Sequence, residues 1–354
     1  MLVIRPIETA DLESLLEISR QVGYGMTTLP PNRSVLSRRI EESRQSFTFH
    51  PDQPRGETYL FVMQENDSRR VVGVCGIISK VGEGDPFYGY RLRREPCVSE
   101  MLKVNKTISL LELTVLHDGP AVVGSLFLLP EFRKDGNGRF LALSRFVFMA
   151  QFPQRFAAHV IAEMRGVIDR EGRSPFWDAV GRHFFELDFP QADYLTLVNK
   201  RFIADLMPKH PLYIPLLPAA AQAVIGKVHP ETQPALKILQ DEGFTFEDLV
   251  DIFEAGAVFG CDRARIRAVR ESREALVAAL APMAIGTGQG EDCVVSNTDL
   301  VFRACKGGVR VLDDGRVCID PSTARALRIE PGQAVRFVSL RPDRRSIGSR
   351  EPGL

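Results

Sequence analysis

Two hydrophobic periods alternate along the chain, one of two residues and one close to 3.6, and together they set the predicted elements. Apolar or β-branched runs predict strands over residues 2–5, 58–64, 71–79, 108–116, 121–129 and 159–167. Leu12, Leu15, Leu16 and Val22 share one face of a helix that Thr9 can cap and that Gly23 and Gly25 end; residues 34–43 form a second helical candidate. The polar stretches 65–69 and 117–120 each join two strands, whereas 82–90 is turn-rich and aromatic and 97–106 carries no clear pattern. Residues 140–150 are apolar almost all round, which predicts a buried helix beginning near Gly138.

Beyond residue 168 the pattern predicts a helix opened by Ser174 and Pro175, another over 193–207, and a rigid loop over 206–213. A helix over 235–244 follows, closed by Gly243, and then a strand over 246–253. Residues 262–280 are dense in arginine and glutamate and read as a charged, solvated helix face. Gly286, Gly288 and Gly290 mark a linker; residues 293–340 hold short strands, a turn at 313–315 and a short helix over 321–327. The charged, proline-containing end is expected to be disordered. The domain expectation is therefore 1–256 as one unit, 257–290 as charged helix and linker, 291–342 as a small β-rich segment, and 343–354 as a disordered tail.

The stretch with chemistry in it is the strand, loop and helix around Ser125 to Arg139. The strand stops at Pro130, and Gly136 and Gly138 let backbone approach a ligand without a Cβ in the way. Amides at the helix start favour a phosphate, with Arg133, Lys134 and Arg139 as further donors. The competing reading is a tight turn that needs glycine for steric reasons alone. A P-loop is excluded because no Gly-Lys-Ser/Thr follows, and a dinucleotide fingerprint wants a third glycine where Leu141 stands.

Composition narrows the classes. The 354 residues are 44% hydrophobic, with 45 Lys plus Arg against 45 Asp plus Glu, so nothing in the balance points to nucleic acid or an anionic membrane. No long apolar run occurs, and a cytoplasmic protein is expected. The six cysteines form no C-x-x-C pair, so reduced thiols are expected and a metal site is not.

Arg133-x-x-Gly136-x-Gly138 after an apolar strand and a proline resembles the pyrophosphate motif of the GNAT superfamily of CoA-dependent N-acyltransferases. That resemblance implies an α+β fold: a twisted mixed sheet flanked by helices, with a splay between the strands at 121–129 and 159–167 that admits the acyl-CoA arm. By the same comparison residues 168–228 are a helical insertion. Many relatives carry a proton-donating tyrosine where this chain has Leu239, and leucine cannot donate. His229, at the entrance to the same helix, is the candidate replacement, since imidazole titrates near neutrality. Its other reading is a cap for the turn before Pro230.

A narrower resemblance rests on Gly25-Met-Thr-Thr-Leu-Pro30, Asp85-Pro-Phe-Tyr88, Ala162-Glu-Met-Arg-Gly166, Ser174-Pro-Phe-Trp177, Gly181-Arg-His-Phe-Phe185, Leu206-Met-Pro-Lys-His-Pro-Leu-Tyr213 and Ala223-Val-Ile-Gly-Lys-Val-His-Pro230. In that order they look like the arginine N-succinyltransferase family. The resemblance implies succinyl transfer from succinyl-CoA to the α-amine of L-arginine, with succinyl-CoA as co-substrate and no tightly bound cofactor. It implies His229 as the proton-transferring residue and Leu126 as a succinyl-CoA contact; Leu128, Arg133, Lys134, Gly136, Asn137, Gly138 and Arg139 complete the expected CoA set. Glu163 and Arg165 are acceptor candidates, or else an internal ion pair at a strand end. Ornithine as acceptor, or a non-catalytic subunit in a mixed complex with a paralogue, stays open, as does a homo-oligomer.

Overall fold

The computed structural model describes residues 1–22, 26–49, 51–84, 86–196, 201–283 and 291–342. The predicted ends of the first helix at Gly23 and Gly25, the linker glycines at 286–290 and the tail after 342 lie outside them.

Among the described residues, fifteen strands join in one hydrogen-bonded sheet. The first part opens with β1 (Leu2–Pro6), α1 (Leu12–Gln21) and α2 (Arg33–Thr48), then β2 (Thr58–Glu65), β3 (Val71–Ile78), β4 (Phe87–Ser99), β5 (Val104–Leu116) and β6 (Ala121–Leu128). Helix α3 (Asn137–Gln151) and β7 (His159–Glu163) follow. Next come α4 (Pro175–Ala179), α5 (Arg182–Phe185), α6 (Phe189–Leu195), α7 (Arg201–Leu206), β8 (Leu212–Tyr213) and α8 (Ala219–Val224). The part ends with α9 (Gln233–Asp241), β9 (Thr245–Val250), β10 (Ala257–Asp262) and α10 (Arg267–Glu271). In space the strands run β1-β2-β3-β6-β7-β10-β9-β4-β5-β8. The fold is thus the expected mixed α+β sheet flanked by helices.

The remaining strands are β11 (Arg273–Leu280), β12 (Glu291–Ser296), β13 (Ala304–Val311), β14 (Val317–Ile319) and, after α11 (Pro321–Leu327), β15 (Ala334–Ser339). They pair in the order β12-β15-β11-β14-β13, and β13 pairs back to β12, so the segment closes into a small five-stranded barrel. Val277, Val295, Val309 and Phe337 fill it. Cys305 and Ala304 of β13 also pair with Val3 and Ile4 of β1, which fastens the barrel to the main sheet.

Helix α3 is the buried helix expected from its all-round apolar sequence. Phe140, Phe146 and Phe148 are fully buried in it, and Phe148 meets Phe61 and Phe302 edge-on at 5.2 and 5.3 Å. The elements between β7 and α9 pack on a second cluster centred on Trp177, which stacks on Phe253 at 5.3 Å and donates its indole N–H to the Leu187 carbonyl at 2.9 Å. The expected Ser174 cap is present, its hydroxyl accepting from the Trp177 amide. Gly181 is there for space: a Cβ would sit 2.2 Å from the Trp177 ring.

Several expectations need correction. Residues 262–280 are not one helix: a 3-10 turn at Arg263–Arg265 precedes the short α-helix Arg267–Glu271, and Arg273–Leu280 is a strand paired with β15 and β14. Its Ala- and Leu-rich stretch has local helix preference, and the barrel ladder overrides it. The patternless stretch 97–106 is the tip of a continuous hairpin, β4 with β5, whose first strand already begins at Phe87 within the stretch expected to be turn-rich. The helix expected over 193–207 is two short helices, α6 and α7. The strand expected over 159–167 stops at Glu163. Thr9 does not cap α1; it begins a 3-10 turn whose Asp11 holds the Glu8 amide at 2.7 Å and pairs with Arg5 at 2.7 Å.

Candidate active site

The site starts from an irregularity in β6. Its pairing with β3 shifts register between Val74 and Gly76, and Ser125 has φ +52°, so the strand bulges there. On its other side β6 runs parallel to β7, with register partners at Ala121/Val160 and Val122/Ile161. Beyond them the strands diverge, as expected of a splay, and a cleft opens. An outer chamber of about 650 Å³ and an inner one of about 180 Å³ share Met26, Leu126, Arg165, Thr232 and Ala235 as walls.

The outer chamber ends at the glycine loop. Arg133 donates from Nε to the Leu128 carbonyl at 2.8 Å and lies 5.3 Å over the Phe127 ring. Asp135 and Gly136 both take left-handed backbone (φ +53° and +72°) and turn the chain into α3. Asn137, 4% exposed, donates to the Phe132 carbonyl at 3.1 Å. Lys306 from the barrel donates to the Asp135 carbonyl and the Asn137 side-chain oxygen, each at 2.7 Å. Among the described residues, nothing beyond its own chain neighbours and helix backbone lies within 4 Å of where a Cβ on Gly138 would stand. Arg133, Lys134, Gly136, Asn137, Gly138, Leu126 and Leu128 all line this chamber. Arg139 does not: it faces away and pairs with Asp241 at 2.5 Å, so its expected role as a phosphate donor is not supported. One residue further round the helix turn carries it off the cleft side.

The inner chamber holds Leu239, Ser125, Glu163 and Arg165. Arg165 pairs with Glu231 at 3.2 Å, while its Nε is buried and without a partner among the described residues. Glu163 belongs to an acidic group with Asp193, Asp251 and Glu254. Burial, then repulsion from Asp251 and Glu163, pushes the Asp193 carboxyl up to about 7. Burial and the neighbouring Asp251 and Asp193 hold Glu254 well above the usual carboxylate range, although it accepts from the Gly166 amide at 2.8 Å. Burial also raises Asp251, which accepts from the Phe253 and Glu254 amides at 2.6 and 2.9 Å.

His229 stands beside this chamber. Its backbone N–H donates to the Arg165 carbonyl at 2.8 Å, and its ring Nδ1 accepts from the Glu231 amide at 3.2 Å, capping the turn after Pro230. Among the described residues its ring is not part of either chamber's lining. Burial, then the Arg165 charge, lowers its pKa, with Glu231 opposing.

Sequence reading missed Arg145, Ser125, Asp193, Asp251 and Glu254 as a group at the site. Arg145 alone gave a signal, as a charge inside an otherwise apolar helix. The bulge leaves no trace in composition, and the acids converge only through tertiary contact.

A loop suited to phosphate at the mouth, a channel along a bulged strand and a polar inner chamber suit an acyl thioester carried on a long phosphorylated arm. With the mixed sheet, this is the architecture of the CoA-dependent N-acyltransferases of the GNAT class. The family profile described as arginine N-succinyltransferase beta subunit matches residues 2–268, and that of its C-terminal domain matches residues 273–339. The arginine N-succinyltransferase of Enterobacter sp. (strain 638) is 42% identical over 98% of this chain and 100% of its own length, and that of Salmonella arizonae is 41% identical with the same coverage. The solved arginine/ornithine succinyltransferase subunit AI of Pseudomonas aeruginosa superposes with a TM-score of 0.87 at 31% identity, over 97% of this chain and 99% of that one. The chain belongs to the arginine N-succinyltransferase family.

Proposed function

We infer that this chain transfers the succinyl group of succinyl-CoA to the α-amine of L-arginine. The observation that carries the reading is the cleft itself, running from the Gly136–Gly138 loop to the bulge at Ser125, in a chain of this family throughout its length. Succinyl-CoA is a co-substrate, and because the acyl group arrives activated, the reaction calls for no tightly bound cofactor. Leu126 and Leu128 flank the arm, while Arg133, Lys134 and the amides after Gly136 hold phosphate. The backbone at the Ser125 bulge is positioned to polarise the thioester carbonyl.

At the acceptor end, Glu163 with Asp193, Asp251 and Glu254 supplies anionic partners for a guanidinium, and Arg165 a cation for the α-carboxylate. The α-ammonium, with pKa near 8, gives one proton to water. The amine attacks the thioester carbon, the nitrogen loses a second proton as the tetrahedral adduct collapses, and the C–S bond breaks. That second nitrogen proton goes to the departing thiolate, with His229 assigned to carry it as imidazolium. The products are the amide, CoA thiol and one net proton.

Thiol release by the purified chain with succinyl-CoA and L-arginine tests the reading; none above the hydrolysis background rejects it. A second reading, ornithine as acceptor or function within a mixed complex, is favoured by the name of the solved relative, an arginine/ornithine enzyme subunit. Ornithine in the same assay and the mass of the native particle decide it. No described helix is long and apolar enough to cross a membrane. A cytoplasmic setting fits the use of succinyl-CoA.

A further inference from the structure

The inner chamber has a charge in its wall for which no carboxylate partner is found among the described residues. Arg145 of α3 is 2% exposed and lines that chamber. Its Nε donates to the Ala142 carbonyl at 3.1 Å and its Nη1 to the Gly124 carbonyl at 3.4 Å. Among the described residues Nη2 makes no hydrogen bond and no carboxylate pairs with the guanidinium. Among the other buried arginines, Arg5 pairs with Asp11 and Arg267 with Glu242, while Arg155 and Arg303 are held by carbonyls and a hydroxyl but do not line the chamber. Cys75 lies beside Arg145, but burial pushes that thiol up to about 11, so it stays neutral. A guanidinium cannot shed its proton, and a buried charge without a partner is costly to keep.

Its location gives the charge a use. Gly124 immediately precedes Ser125 at the bulge, so the guanidinium sits beside the place where the thioester carbonyl lies in the acyl-transfer reading. A succinyl group carries a second carboxylate two methylenes beyond that carbonyl. The chamber, about 180 Å³, is several times the ~30 Å³ share of one water and can take a four-carbon chain. The other cation in the wall, Arg165, pairs with Glu231 and is assigned above to the acceptor's α-carboxylate.

We propose that Arg145 is the donor-selecting residue, its guanidinium binding the distal carboxylate of the succinyl group. The proposal rests on the succinyl-transfer reading above. A planar fork aimed at a carboxylate binds it bidentately, and the buried site strengthens the pair. An acyl group ending in methyl leaves the guanidinium unpaired, which turns a structural cost into selectivity.

The test compares succinyl-CoA with butyryl-CoA, whose four-carbon chain ends in methyl, for wild type, Arg145→Lys and Arg145→Gln. Calorimetry with free CoA reports whether the cleft is intact. The expected result is CoA affinity within threefold of wild type in both variants. In Arg145→Gln, kcat/KM for succinyl-CoA falls about 10²-fold or more and the succinyl preference collapses, with Arg145→Lys intermediate because it keeps the charge and loses the fork. A retained preference, an equal fall with both donors, or an effect confined to the KM for arginine overturns the assignment. So does loss of CoA binding in both variants, since a residue needed to hold the helix in place is not a selector. A wild-type enzyme that does not prefer succinyl-CoA over butyryl-CoA instead sinks the donor reading, whatever the variants do.

Discussion

His229 accepts the Glu231 amide through Nδ1, which leaves the proton of the neutral ring on Nε2. Burial, then the Arg165 charge, lowers its pKa, which favours the neutral ring at rest. His229→Ala is expected to lower kcat about 10²-fold or more while changing succinyl-CoA affinity less than threefold. Near-normal turnover from pH 6 to 9 in that variant removes His229 from the chemistry. Asp193 shifts the other way. Its folded value of about 7 lies above the unfolded ~3.9, so the native state holds an extra proton between them. That contribution is fully present at the acid end and is lost as pH rises from about 4 to about 7. A bound guanidinium reverses the balance by favouring the ionised carboxylates, so the KM for arginine should fall as pH rises through about 7. Asp193→Asn should flatten both trends and raise the arginine KM tenfold or more at pH 8, leaving the succinyl-CoA KM alone. An unchanged arginine KM detaches the acidic group from the acceptor.

At the scale of elements, the loop between β6 and α3 separates two uses of glycine. Gly136 is needed for its left-handed backbone, and a valine there strains the turn itself; Gly138 has ordinary backbone beneath open space. Gly138→Val should therefore weaken CoA binding tenfold or more in calorimetry with little change in Tm, whereas Gly136→Val should lower both. Unchanged CoA affinity in a folded Gly138→Val protein contradicts the phosphate role of the loop. This loop and the buried helix behind it were legible because each is encoded locally, in a proline, two glycines and an unbroken apolar run. Arg273–Leu280 was not, because its strand state comes from partners residues away in β14 and β15. The β4–β5 hairpin was obscured by charged residues along its exposed half, from Arg93 to Lys106. The same limit holds at the site. The Ser125 bulge and the meeting of Asp193 with Asp251 follow from pairing and packing between distant segments, while the phosphate loop is contiguous.

In the whole molecule, the barrel reaches the glycine loop through the side chains of Lys306 and Leu340. β13 is paired to β1 at Ala304 and Cys305, and the next residue, Lys306, donates to Asp135 and Asn137 in the glycine loop. Asn137 in turn holds the Phe132 carbonyl, so the barrel, the loop and the first turn of α3 form one hydrogen-bonded path. Leu340, just after β15, is the nearest atom to a Cβ built on Gly136, at 3.4 Å, which places a second part of the barrel against the same turn. Burial lowers the Lys306 pKa, with Asp135 and Asp292 opposing. Hydrogen bonds from a charged donor are worth roughly 1.5–3 kcal/mol each, and about 1.4 kcal/mol is tenfold in affinity. Lys306→Met keeps the stem and removes the donors, so it should raise the Kd for CoA about tenfold by loosening the loop, with kcat at saturating succinyl-CoA within threefold of wild type. Because Lys306 lies outside the apolar filling of the barrel, Tm should move by only a few degrees. If CoA binds to Lys306→Met as it does to wild type, the barrel does not set the loop, and its ties to the rest of the chain, through β1 and from Arg336 to Gln151 of α3, are structural support.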